Sequence, residues 1–286
     1  MSVSQIATYE SADGLELAFA DYGAADAECV VICLPGLTRN SRDYVPLARH
    51  LADRFRVLTP DLRGRGHSSW DQNYLNYHPR TYANDVMRLI ELVAARHLIL
   101  IGTSLGGLVA ALLANAGIGT LRGVVLNDIG PEIDPAGIAR IAGYVGSTGP
   151  FFDWSAAIDV VRRNNEFALP NLSDARWRDV TLALCRERDD GQIEFDYDPA
   201  IGQAFREGAG GAIDLWQVFG ALAGIPTLLL RGVHSDILSR ITVEGMCRQL
   251  PRLQVVEVPE RGHAPLLDEP VALRAIDRFV ASIATS

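Results

Sequence analysis

The chain has 286 residues, 48% hydrophobic and 21% charged, an ordinary balance for a globular enzyme with a sizeable core in one large α/β domain or two small ones. A formal net charge of −9 and the absence of a Lys/Arg block argue against nucleic acid or anionic membrane as a partner. No apolar run reaches about 18 residues, so no membrane span is expected, and Met1–Ala7 has neither a basic start nor an apolar core, so a cytoplasmic location is the expectation.

In chain order, Ile6–Glu10 and Leu15–Ala20 alternate as strands around the turn Asp13-Gly14. Cys29–Leu34 is apolar at every position, which predicts a strand buried on both faces, as in a parallel sheet. A helix near Tyr44–Asp53, a strand Val57–Pro60, a helix near Thr81–Ala95 and a strand beginning near Leu98 follow. Gly123–Leu126 reads as the next strand. After a break the alternation resumes with strand Thr227–Leu230, helix Thr242–Gln249, strand Leu253–Glu257 and helix Val271–Ile283. Strand and helix in this rhythm predict a mostly parallel, doubly wound α/β sheet.

Between Pro131 and about Gly211 the rhythm stops. Amphipathic pieces at Ala136–Tyr144, Trp154–Arg163, Ala175–Arg186 and Pro199–Glu207 are separated by turns such as Asp189-Asp190-Gly191. The expectation is a mostly helical insertion over 131–211, with the core built from 1–130 and 212–286. Four cysteines, Cys29, Cys33, Cys185 and Cys247, show neither a Cys-x-x-Cys pair nor zinc spacing. Cys29 and Cys33 share one face of one strand, too far apart to bridge. Free thiols are the expectation.

Chemistry concentrates at Leu98-Ile99-Leu100-Ile101-Gly102-Thr103-Ser104-Leu105-Gly106-Gly107. An apolar strand runs into Gly-x-Ser-x-Gly and then into an Ala/Leu-rich helix. A sharp strand-to-helix turn of this kind lifts one serine above the sheet, and its glycines permit close backbone approach. A serine in an ordinary βα turn, capping the helix, is the bland alternative. A nucleophilic serine needs a base, and the base needs an orienting acid. Of six histidines, His263 follows the last strand, which places it at the sheet edge that carries Ser104. Asp236, after strand Thr227–Leu230, is the favoured acid because it shares the final strands with His263. Asp128, in Leu126-Asn127-Asp128-Ile129-Gly130, is its rival. Arg39 could meet a substrate carboxylate, since arginine reads that group bidentately; a solvated arginine is the alternative.

Four motifs together resemble the α/β-hydrolase superfamily: Leu34-Pro35-Gly36-Leu37, Asp61-Leu62-Arg63-Gly64-Arg65-Gly66-His67-Ser68, the turn around Ser104, and Gly262-His263-Ala264-Pro265 with Asp268-Glu269-Pro270. The resemblance spans about residues 10–285 and is weakest in the insertion. It implies Ser104 as nucleophile, His263 as base, and an oxyanion hole from the Leu37 and Leu105 backbone amides. Many relatives have His-Gly where this chain has Pro35-Gly36. The resemblance also implies that the insertion is a helical cap over a mainly apolar pocket. Its aromatic residues include Tyr144, Phe151, Phe152, Trp154, Phe167 and Trp216; Phe151 and Trp154 are the candidate substrate contacts.

The expected activity is that of a serine hydrolase acting on an ester or similar activated carbonyl of a small molecule, without metal or cofactor. A carbon–carbon bond hydrolase of aromatic ring-cleavage products is the first alternative, made less favourable by Thr103 where such relatives have Asn. A ligand receptor that kept the fold and lost turnover is the second.

Overall fold

The computed structural model describes residues 5–147, 149–208 and 213–284; the expected return to the core at residue 212 falls outside them. The chain begins with β1 (Gln5–Glu10), β2 (Glu16–Tyr22) and β3 (Cys29–Leu34). Then come α1 (Val45–Leu51), β4 (Arg56–Pro60), α2 (Pro79–Val93), β5 (His97–Thr103), α3 (Leu105–Asn115) and β6 (Leu121–Asn127). These six strands pair with β9 (Thr227–Gly232) and β10 (Leu253–Val258) in the order β1-β2-β4-β3-β5-β6-β9-β10. Only the β1–β2 and β2–β4 pairs are antiparallel. The remaining pairs are parallel, so the doubly wound expectation holds.

The continuous apolar strands explain the burial. Every residue of β3 is buried, because helices cover both faces of the sheet. Val30, Ile32 and Leu34 pack on the side of α2 and α3. Cys29, Val31 and Cys33 pack with Leu47, Ala48 and Leu51 of α1 on the other. All four cysteines are free. Burial pushes the Cys29 thiol up to about 11 and the Cys185 thiol to about 12, which removes both as nucleophiles near neutral pH.

The segment after β6 holds α4 (Pro135–Ala142), α5 (Trp154–Asn165), α6 (Asp174–Leu184), the short strands β7 (Cys185–Glu187) and β8 (Ile193–Phe195), and α7 (Ala200–Glu207). It is mostly helical, but β7 and β8 form an antiparallel hairpin where the sequence suggested the end of a helix. α8 (Leu215–Gly220) then leads back to β9 (Thr227–Gly232), α9 (Arg240–Gln249), β10 (Leu253–Val258) and α10 (Pro270–Ala284). Among the described residues no helix is long and apolar enough to cross a membrane.

Arg42 bolts this segment to the core. It donates from Nη1 to Asp196 at 2.7 Å and from Nε to the Ala183 carbonyl at 3.1 Å. Tyr77 donates to Asp198 at 2.5 Å. The Gly262 amide, in the loop after β10, donates to the Ala168 carbonyl at 2.7 Å. Arg176 of α6 pairs with Asp268 beyond the same loop.

Arg63 carries a second fastening. Its side chain is 1% exposed and meets Asp85 at 2.6 Å, Asp71 at 2.5 Å and Asp13 at 2.9 Å. Removing one partner of a buried ion pair leaves an uncompensated charge. Arg63→Met, which strands three carboxylates, is therefore expected to lower stability by about 3–5 kcal/mol in urea unfolding at neutral pH. Hydrogen bonds from Arg63, with one from Ser11, hold the Asp13 carboxyl down at about 2. A carboxylate depressed in the folded state stabilises above its unfolded pKa of about 4, and that contribution disappears as the pH falls toward 2. The urea midpoint of Asp13→Asn is expected to vary less with pH across this window than that of the parent protein.

Candidate active site

β5 lies mid-sheet between β3 and β6, and its last residue, Thr103, stands opposite Asn127. The chain then turns sharply. Ser104 has φ +53° and ψ −116°, a conformation that costs a non-glycine residue roughly 1–3 kcal/mol and persists only where its surroundings impose it. Two close approaches impose it. A Cβ on Gly106 would lie 2.0 Å from the Leu34 carbonyl oxygen, and one on Gly102 would lie 2.4 Å from the Gly106 backbone. The motif thus needs glycine at both positions so that α3 can start directly against β3 and β5.

Ser104 Oγ lies 2.8 Å from His263 Nε2. His263 Nδ1 lies 2.9 Å from Asp128 Oδ2, not from Asp236. Asp128 is fully buried and also accepts from the Gly232 amide at 2.9 Å and the Ser235 hydroxyl at 2.6 Å. These partners fix a carboxylate that can hold His263 in one tautomer, with Nδ1–H donating to Asp128 and Nε2 free to accept from Ser104.

The expectation for Asp236 is overturned by strand register. Asn127 pairs with Thr103 on one side and with Leu230 on the other, so Asp128 emerges one strand from the serine. Asp236 lies four residues beyond the end of β9, and the intervening turn carries it outward. There it pairs with Arg140 of α4 at 2.5 Å. Its carboxyl is shifted below the usual range, burial raising it and the Arg140 hydrogen bond and charge outweighing that.

Beneath the serine runs a network that the sequence did not disclose. Tyr44 donates to the Leu34 carbonyl at 2.9 Å, and its hydroxyl lies 2.8 Å from Thr103 Oγ1. Asn127 Nδ2 donates to Thr103 Oγ1 at 3.0 Å and to the Pro265 carbonyl at 2.9 Å. One amide side chain therefore ties the serine turn to the histidine loop. Its only sequence signal is a polar residue closing an apolar strand. Glu269 pins the same loop, accepting from Arg261 at 2.7 Å and from the Leu266 amide at 3.0 Å.

The Asp61–Ser68 motif supports the loop after β3. Asp61 accepts from the Ser41 amide at 2.6 Å and the His67 amide at 2.9 Å. Arg65, buried over the Tyr82 ring, donates from Nε to the Leu37 carbonyl at 2.8 Å. The Leu37 and Leu105 amides find no acceptor among the described residues. Leu105 opens α3, where an amide has no intrahelical partner and the helix dipole favours negative charge.

Ser104 borders two cavities. One, of about 120 Å³, is lined by Arg39, Tyr144, Tyr197 and His263. The other, of about 310 Å³, is lined mainly by aliphatic side chains. Arg39 does reach the first, but its Nε and Nη2 both donate to Asp43. The donor fork expected to take a substrate carboxylate is already occupied. Phe151 and Trp154 border neither cavity: Phe151 stacks edge-on against Phe195, with centroids 5.5 Å apart, and Trp154 is half-buried at the start of α5. Phe152 and Phe167 face solvent, and Trp216 donates to Glu132 at 2.9 Å. Tyr144 alone of these aromatics lines the site. Among the described residues no cluster of three or more His, Cys, Asp or Glu side chains could hold a metal.

The chain is 31% identical over 271 residues to a 3-hydroxybutyrate-oligomer hydrolase of Cupriavidus necator, covering 92% of each protein. It is 28% identical over 246 residues to a 2-(acetamidomethylene)succinate hydrolase of Mesorhizobium japonicum, covering 86% of this chain and 85% of the relative. A crystal structure of an alpha/beta hydrolase from Novosphingobium aromaticivorans superposes with a TM-score of 0.92 at 39% identity, over 98% of this chain and 99% of the other. The sequence profile of the alpha/beta hydrolase family matches residues 31–276, and the chain is a member of that family.

Proposed function

We propose that this hydrolase cleaves carboxylic esters or similarly activated carbonyls through an acyl-serine intermediate. The observation that carries the reading is the hydrogen-bonded chain Ser104–His263–Asp128, with links of 2.8 and 2.9 Å. In this reading Ser104 Oγ attacks the carbonyl carbon while His263 Nε2 takes its proton. Asp128 orients the imidazole and stabilises its charged form. The unpaired Leu37 and Leu105 amides receive the oxyanion, each contributing roughly 3–4 kcal/mol to the barrier reduction. His263 then protonates the leaving group, and water releases the acid by the same steps in reverse order. The segment over 131–211 acts as a cap, supplying Tyr144 and Tyr197 to one cavity and Ile138 and Ile201 to the other.

A fluorophosphonate probe tests this directly. Stoichiometric labelling is expected, mapped by peptide mass to Ser104 and lost in Ser104→Ala. A native protein that stays unlabelled while binding its ligands would favour the receptor reading and remove this one.

A further inference from the structure

The two cavities differ in chemistry, and they meet at the serine. The smaller is the more polar of the two: Arg39, Asp43, Tyr144, Asn164, Asn165 and Tyr197 border it among apolar neighbours such as Leu169 and Phe195. The larger is a hydrocarbon surface made by Leu105, Leu108, Ile129, Ile138, Ile201 and Phe205. Ser104 and Leu37 border both, whereas His263 borders only the polar one.

That asymmetry fixes the direction of the substrate. During acylation the serine Oγ–carbon bond forms, the carbon–oxygen bond to the alcohol breaks, and the proton held on His263 passes to the departing oxygen. The departing oxygen must therefore lie on the His263 side. The acyl chain, on the far side of the carbonyl, must lie in the other chamber beside Leu105. We infer that the apolar chamber holds the acyl half and the polar chamber the alcohol half, so the preferred substrates are esters of medium-length aliphatic acids with compact, hydrogen-bonding alcohols. The inference rests on the acyl-serine reading above. The Arg39–Asp43 pair presents both signs of charge to the alcohol and leaves hydrogen bonding, not net charge, as the means of recognition.

Two isomeric esters decide the direction. Ethyl hexanoate and hexyl acetate have the same atoms, with the long chain on opposite sides of the ester. Each methylene placed in a fitting apolar chamber is worth up to about fourfold in kcat/KM, so ethyl hexanoate is expected to win by at least about tenfold. Equal or reversed preference overturns the assignment. The polar half is tested by 1-monohexanoylglycerol against propyl hexanoate, which matches its alcohol in chain length. One or more extra hydrogen bonds give the glycerol ester an advantage of at least about fivefold; equality overturns that half. Ile138→Phe narrows the apolar chamber from α4 and Ala204→Leu narrows it from α7, and either is expected to cut the ratio of hexanoate to acetate ester turnover. An unchanged ratio in correctly folded forms of both also counts against the assignment. Fluorophosphonate labelling separates the two levels: a protein that labels at Ser104 but prefers hexyl acetate loses only this inference, and one that does not label loses the acyl-serine reading itself.

Discussion

Ser104→Ala is expected to lower kcat at least about a thousandfold on any ester the protein hydrolyses, with its urea-unfolding midpoint little changed. Removing a nucleophile that acts as a unit with its base forfeits nearly the whole contribution of that unit, leaving what binding and oxyanion stabilisation provide. The fold should tolerate the change because, among the described residues, Ser104 Oγ hydrogen-bonds only with His263. Relief from an enforced φ of +53° is not gained, since alanine dislikes that region too. A loss of less than about tenfold, measured with protein purified away from host esterases, would identify another group as the nucleophile.

The second large effect separates two acids. Asp128→Asn keeps the side-chain shape and an acceptor, but its amide nitrogen can force His263 into the wrong tautomer. The expected loss in kcat is about ten-thousandfold, the scale seen when an orienting carboxylate is replaced in this way. Asp236→Asn is expected to cost less than about tenfold, because it weakens a partly exposed pair with Arg140, and such pairs contribute little. Comparable losses in both variants would mean that Asp236 moves onto His263 during turnover. A larger loss in Asp236→Asn would restore the sequence-based choice.

The serine turn was legible because its requirements are local. Gly102 and Gly106 are dictated by backbone atoms a few residues away or in the adjacent strand, and the apolar runs on either side declare the strand and the helix. His263 was legible because the end of a late strand leads to the same sheet edge. The acid was not, since two aspartates each follow a core strand and only lateral register separates them. Asn127 stands between Thr103 and Leu230, which delivers Asp128 to the histidine. Arg140, which takes up Asp236, comes from α4, almost a hundred residues earlier in the chain. The cavity lining was illegible for a similar reason. Trp154 opens an amphipathic stretch and Phe151 lies just before it, but which side chain meets the cavity depends on the hairpin of β7 and β8, whose strands are too short to show a period. Phe151 spends its ring on Phe195 of that hairpin.

The hydrogen bond from the Gly262 amide to the Ala168 carbonyl has a mechanical consequence. The residue beside His263 is fastened to the segment after β6, and the Arg176–Asp268 pair fastens the loop again on its other flank. The loop that carries His263 and the segment after β6 are thus tied together at two points. A hinged movement of that segment would have to break both ties or carry the His263 loop with it, so the two-point attachment couples the position of the imidazole to that of the segment. Replacing that segment with a foreign one would likewise require those two fastenings to be rebuilt before any change of substrate could be read.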